Sequence, residues 1–172
     1  CQWANALGVK VIGTVGSAEK AELAKKNGAW ATINYREENV VERVRELTGG
    51  AMVPVVYDSV GKDTWMTSLD CLAPRGLMVS FGNASGAVEG VNVGILNQKG
   101  SLYLTRPSLN GYADTRERFE EMCLDLFDML ERLSKGRRRP VPNGPDADLR
   151  SKRVNLSTDD SKLQVLISDQ NV

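Results

Sequence analysis

Histidine is absent from the 172 residues. Its absence excludes a histidine general base, a Ser-His-Asp triad and any metal site built on imidazole. Cysteine is scarce. Cys1, Cys71 and Cys123 are far apart, odd in number and free of any CxxC pair, which is poor material for a disulfide framework or a zinc site and suits a reducing cytoplasm. Neither sign of charge is in excess: Lys plus Arg and Asp plus Glu number 22 each, so no net field favours nucleic acid, an anionic membrane or an acidic partner. No apolar run approaches the roughly 20 residues that span a bilayer, and the charged start and apolar stretch of a signal peptide are missing. What remains open is small-molecule chemistry. The hydrophobic share of 41% supports one core, and two full domains would strain the length. Because Cys1-Gln-Trp-Ala-Asn-Ala-Leu7 reads as the middle of an amphipathic helix, a further segment is expected before Cys1.

Short β-branched runs alternate with helical stretches along the chain. Val9-Lys-Val-Ile-Gly-Thr-Val15 reads as a buried strand, and Ala18 to Lys26, with Ser17 as N-cap and Asn27-Gly28 as stop, reads as a helix. Ala31 to Tyr35 is the next strand. Val40, Val41, Val44 and Leu47 then recur at helical spacing within Glu38 to Leu47. Strands are expected over 53–57, 77–81 and 101–105, a helix over 62–72, and an amphipathic helix over 115–133. The face of that last helix carrying Phe119, Met122, Leu126, Met129, Leu130 and Leu133 should pack on the core. Strands joined through helices of about ten residues imply right-handed crossovers, hence an α/β fold with a doubly wound parallel sheet.

The composition changes after Leu133. Residues 134–172 carry eight basic against five acidic residues, open with Lys135-Gly-Arg-Arg-Arg-Pro140 and hold few large apolar side chains. They are expected to form an irregular, poorly ordered tail beyond a domain spanning 1–133, the product of an altered reading frame. Arg137, Arg138 and Arg139 lack interleaved aromatics, so a solvated linker is favoured over a nucleic-acid patch.

In a doubly wound sheet ligands bind beyond the carboxyl ends of the strands, so the loops after each strand are the candidate sites. After the first strand comes Thr14-Val-Gly-Ser-Ala-Glu-Lys20. At the position where an NAD-binding protein carries the acid that grips the ribose 2′-hydroxyl, this chain is open. Gly16 lets a ligand approach the backbone, Ser17 offers a hydroxyl and Lys20 a compact cation at a helix N-terminus. Tyr35 ends the neighbouring strand. Together these residues suit a 2′-phosphate and favour NADPH over NADH. Taken singly, each is ordinary, since a lysine in a first helical turn is usually solvated. The turns Tyr57-Asp-Ser-Val-Gly61 and Phe81-Gly-Asn-Ala-Ser-Gly86 equally serve plain chain reversal.

Ile33-Asn-Tyr-Arg-Glu-Glu38, Val55-Val-Tyr-Asp-Ser-Val-Gly61, Arg75-Gly-Leu-Met-Val-Ser-Phe-Gly-Asn83, Gly94-Ile-Leu-Asn-Gln-Lys-Gly-Ser-Leu-Tyr103 and Thr105-Arg-Pro-Ser108 occur in a meaningful order. Through them the stretch from Cys1 to about Leu109 resembles the bacterial NADPH:quinone oxidoreductases, the zeta-crystallin-like, zinc-free branch of the medium-chain dehydrogenase/reductases. The resemblance implies a Rossmann-like cofactor domain and hydride transfer from NADPH to a quinone or related activated carbonyl compound. It places Gly16, Ser17, Lys20 and Tyr35 around the adenosine 2′-phosphate, and Asp58, Ser59 and Val60 near the adenine and ribose. Phe81, Gly82 and Asn83 would lie along the central cofactor, with Arg106 and Pro107 toward the nicotinamide. It also implies a homodimer paired through the edge strand 102–105. No residue of this chain receives a catalytic role.

The same resemblance implies a first strand and glycine-rich phosphate loop before Cys1, so that the sheet is expected to be incomplete, and an N-terminal catalytic domain as well. One alternative is a noncatalytic module that binds NADP or merely dimerises. Another is a nucleotide-fold methyltransferase, which would want an acid near Gly16 for its ribose; none is present there.

Overall fold

The computed structural model describes residues 1–135 and 164–168. The alternation emerges as α1 (Gln2–Ala6), β1 (Lys10–Val15), α2 (Ala18–Lys26), β2 (Ala31–Asn34), α3 (Val40–Leu47), β3 (Val53–Asp58) and α4 (Trp65–Asp70). After these come β4 (Leu72–Ser80), α5 (Gly94–Gln98), β5 (Tyr103–Thr105), α6 (Leu109–Tyr112), α7 (Arg116–Ser134) and β6 (Gln164–Ser168). The strands form one six-stranded sheet in the order β2-β1-β6-β3-β4-β5, and every pairing is parallel. This is the expected doubly wound α/β fold.

Local chemistry sets the helix starts. Ser17 caps α2 by accepting from the Lys20 amide at 3.3 Å, while Lys25 and Lys26 stand in the last turn, where the helix dipole favours cations. Asn39 caps α3 by accepting from the amides of Val41 and Glu42. β1 is buried from Val11 to Val15, the pattern of an inner parallel strand covered on both faces. On one face Ile12, Val56, Met78 and Leu166 meet Val44, Trp65 and Leu69 of α3 and α4. On the other, Val55 and Val79 cluster with Ile167, and Val15 packs on Ala24 of α2.

The described part of the tail adds one strand that the sequence reading did not expect. Gln164–Ser168 is a strand lying between β1 and β3 at the middle of the sheet, pairing Val11 with Val165 on one side and Val55 with Val165 on the other. The physical reason is the run Val-Leu-Ile: Leu166, 1% exposed, joins the main core, while its neighbour Ile167 faces the opposite layer. The rest of the tail expectation, over 136–163 and 169–172, lies outside the described residues.

Two smaller departures follow from side chains and backbone. β4 starts at Leu72, one residue after α4, and its register against β3 shifts between Val53 and Val55, where Arg75 takes φ +62 and a Cβ on Gly76 would stand 2.8 Å from the Ala73 carbonyl. The helix expected over 115–133 is present as α7, but its apolar face is not covered by the described residues. Met129 is buried, whereas Phe119, Met122, Leu126 and Leu130 are exposed.

Candidate functional site

The carboxyl ends of β1, β2, β3 and β4 gather most of the residues singled out by sequence, in two groups. The first surrounds the turn after β1. Tyr35 follows β2 and folds over this turn so closely that a Cβ on Gly16 would stand 2.6 Å from its hydroxyl oxygen. A side chain at Gly16 would push the Tyr35 hydroxyl aside, so glycine lets the ring lie against the backbone of the turn. The same hypothetical Cβ would lie 3.4 Å from Nε of Arg36. Arg36 was missed by the sequence reading, although it stands in the quoted Ile33–Glu38 motif; the signal was a second cation two residues after the strand. Ser17 holds the α2 N-terminus and Lys20 its first turn. The turn Gly16-Ser17-Ala18 has no carboxylate, and Glu19 stands exposed in the first turn of α2. Glu38 steadies the approach by accepting from the Asn34 amide at 2.8 Å.

The second group is the laced pair of loops after β3 and β4. Asp58 is fully buried. One carboxylate oxygen accepts from the amides of Val60 (2.8 Å) and Gly61 (3.0 Å), and the other from the hydroxyls of Thr64 (2.8 Å) and Ser68 (2.6 Å). The side chains of Asp58 and Val60, expected beside adenine and ribose, are thus turned inward, and these two residues shape the loop without presenting side chains to a ligand. The Ala84 amide donates to Ser59 O and the Ser85 amide to Val60 O. Gly82 rides so close that an added Cβ would sit 2.0 Å from Ser59 O. Phe81 and Asn83 remain exposed beside it.

Arg106 closes this group from the end of β5. Its Nη1 donates to Ser80 O at 2.9 Å and Gly82 O at 3.0 Å, so the guanidinium anchors the loop after β4, with Pro107 partly buried behind it. Asn83 and Arg106 line a cavity of about 280 Å³ together with Trp65 and Leu104. A larger cavity, about 470 Å³, opens on the α3/α4 side; its walls include Thr14, Tyr35, Asp63, Thr67 and Leu166. Tyr35 therefore belongs both to the Gly16 turn and to this larger space.

The arrangement offers bare backbone, hydroxyls and two cations around the Gly16 turn, and apolar walls with exposed polar groups beside the loops after β3 and β4. It suits an elongated anionic ligand with a terminal phosphate. Among the described residues no cluster of histidine, cysteine, aspartate or glutamate could hold a metal ion.

A family model described as zinc-binding dehydrogenase matches residues 1–128. The chain is 68% identical over 132 residues to a quinone oxidoreductase of Pseudomonas aeruginosa, an overlap of 77% of this chain and 41% of that protein. It is 70% identical over 130 residues to a quinone oxidoreductase of Salmonella typhimurium, covering 76% of this chain and 40% of the relative. Among solved structures it is similar to the Escherichia coli quinone oxidoreductase complexed with NADPH. There the TM-score is 0.73 and the identity 69%, over 75% of this chain and 40% of that one. A Pseudomonas syringae quinone oxidoreductase matches with TM-score 0.76 and 49% identity over 97% of this chain and 51% of its own. The chain spans about two-fifths of the length of the curated relatives it matches.

Proposed function

The chain belongs to the zinc-binding dehydrogenase family, and from that premise we propose that it is the cofactor-binding part of an NADPH-dependent oxidoreductase reducing a quinone or related activated carbonyl compound. The observation that carries this reading is the Gly16 turn, roofed by Tyr35 and Arg36 and lacking a carboxylate where an NAD site would place one. Ser17 and Lys20 complete a seat for the 2′-phosphate, Ser59 lies along the ribose side, and Phe81, Gly82 and Asn83 flank the middle of the cofactor. When bound, NADPH supplies the hydride. The protein's own work is orientation: Arg106 holds the loop after β4 in place, and Asp58 fixes the turn after β3.

The quinone oxidoreductase relatives support the acceptor class, and the three free cysteines support a reducing cytoplasm as the working compartment. In titrations followed by nicotinamide fluorescence, NADPH is expected to bind at least tenfold more tightly than NADH, and Lys20→Ala or Arg36→Ala to remove most of that preference. Equal affinity for the two cofactors, or tighter NADH binding, would overturn the assignment.

A second reading is a module that holds NADP or dimerises without turnover, and the exposed edge strand β5 speaks for its dimerising half. Quinone-dependent oxidation of NADPH by the purified chain separates the two. The exposed Tyr103 and Leu104 on β5, at the edge of the sheet, support pairing of two copies through residues 102–105.

A further inference from the structure

The turn that roofs Gly16 is held from outside the site. It carries Tyr35 and Arg36 from the end of β2 toward α3, and one carboxylate, that of Glu38, closes it. Glu38 Oε1 accepts from the Asn34 amide at 2.8 Å, while the Glu38 amide donates back to the Asn34 carbonyl at 2.9 Å, so residues 34 and 38 are hydrogen-bonded to each other twice. Within the turn the Asn34 side-chain oxygen accepts from the Arg36 amide at 3.2 Å. The Tyr35 amide donates to the Val15 carbonyl at 3.1 Å, which fastens the turn to the strand leading into Gly16.

The second oxygen of Glu38 faces α3. Arg43 Nε stands 2.8 Å from Oε2, and the same guanidinium pairs through Nη1 with Glu46, its i+3 neighbour. Arg43 is thus oriented by its own helix, whose start Asn39 caps, and meets Glu38 from a fixed direction. The side chains of Arg43 and Glu38 are 37% and 32% exposed, and an ion pair so open to solvent adds little to overall stability. Its effect is local, on the aim of a carboxylate that holds the base of the turn and shares a cavity wall with Tyr35. That aim matters because a binding group must be held to within roughly 0.5 Å of its working position.

We propose that Glu38 and Arg43 are positioning residues for cofactor discrimination: Arg43 aims the Glu38 carboxylate, Glu38 ties residue 34 to residue 38, and the tie holds Tyr35 and Arg36 where an adenosine 2′-phosphate meets them. Neither Glu38 nor Arg43 needs to touch the phosphate. The discrimination half of this proposal rests on the cofactor reading above; the tie does not.

The test is a double-mutant cycle on the full chain, read by NADPH and NADH affinities and, in the free protein, by amide hydrogen exchange. Glu38→Ala should weaken NADPH about tenfold and NADH less than twofold, because only the phosphorylated cofactor senses the turn. Glu38→Gln keeps an acceptor for the Asn34 amide and should recover most of that loss. Both variants remove the same charge, so the difference between them isolates the hydrogen bond. Arg43→Gln should weaken NADPH about threefold, and adding it to Glu38→Ala should cost nothing further. In the free chain Glu38→Ala should speed exchange of the Asn34 and Tyr35 amides at least fivefold and leave the β3–β4 ladder unchanged. Should Glu38→Ala fail to fold, Arg43→Gln carries the test through its selective loss for NADPH and a faster Asn34 amide.

Equal losses for NADPH and NADH, or a Glu38→Gln chain as impaired as Glu38→Ala, overturn the positioning role. A gain in NADPH affinity on Glu38→Ala overturns it too, since the carboxylate would then act as an opposing charge. Additive losses in the double variant overturn Arg43's route through Glu38. Unchanged exchange at Asn34 and Tyr35 overturns the tie whatever the cofactor does. If the wild-type chain binds both cofactors alike while Glu38→Ala speeds these amides as expected, the cofactor reading fails and the tie stands.

Discussion

Gly82 and Asp58 show how much of this molecule depends on single atoms. A Cβ at residue 82 would enter the Ser59 carbonyl, so Gly82→Ala forces the loops after β3 and β4 apart; chemical denaturation is expected to show a loss of about 3 kcal/mol. Asp58→Ala leaves two amides and two hydroxyls without their common acceptor, an expected loss of about 4 kcal/mol. Asp58→Asn should cost less than half as much, because its amide oxygen can still accept from Val60 and Gly61 and the Thr64 hydroxyl can turn toward the Gly61 carbonyl. If Asn proves as damaging as Ala, charge rather than hydrogen-bond count holds the loop. Cys71 supplies a pH test. Burial, helped by the nearby Asp70 charge, pushes its thiol up from 9.0 to about 12. The folded value is the higher one, so the stability it contributes is fully present below pH 9 and is lost as pH rises toward 12. Between pH 8 and 10.5 the wild-type chain should lose about 2 kcal/mol more than Cys71→Ala in denaturant titrations. Parallel pH profiles for the two would refute the argument.

At the scale of elements, caps and patterns explain what sequence made legible. Asn39→Ala removes the acceptor for two first-turn amides of α3 and should lower stability by about 1 kcal/mol, read as a shift in the denaturant midpoint. β1, β2, β3, α2, α3 and α7 all fall within a residue or two of the expected spans, because each carries its own signal: β-branched runs, apolar residues at helical spacing, or Ser17 as a cap. β6 carried only five residues of signal inside a basic, proline-containing stretch, and its pairing partners are remote. No local pattern states that a slot is waiting for it. The site was legible in part. The openness at Gly16 could be read from the missing acid, but the inward turn of Asp58 and the loop-anchoring role of Arg106 arise from tertiary hydrogen bonds that composition does not encode. Early α4 and β4 boundaries failed for a similar reason, since the kink at Arg75 and Gly76 lets a strand begin where a helix pattern continues.

On the scale of the whole molecule, exposed apolar surface concentrates on β5 and on α6 and α7: Tyr103 is 62% exposed, and Leu109, Phe127 and Leu124 are comparable. Patches of this kind mark interfaces more often than solvent-facing surface. If two copies pair through β5 as proposed, Tyr103→Lys sets like charges across the two-fold axis, and sedimentation velocity should show the species of twice the chain mass replaced by the monomer. An unchanged sedimentation coefficient would remove β5 from the interface. No described helix is long and apolar enough to cross a membrane.

The spatial order of the strands also bears on biosynthesis. A ribosome delivers β1 and β3 well before it delivers Val165, Leu166 and Ile167, and at roughly 5–20 residues per second the gap after β3 lasts several seconds. During that interval the slot-facing edges of β1 and β3 lack the partner that the described residues give them. Translation speed through residues 59–163 thus becomes a determinant of yield, and chaperone capture should peak on chains stalled there and fall once the last strand has emerged.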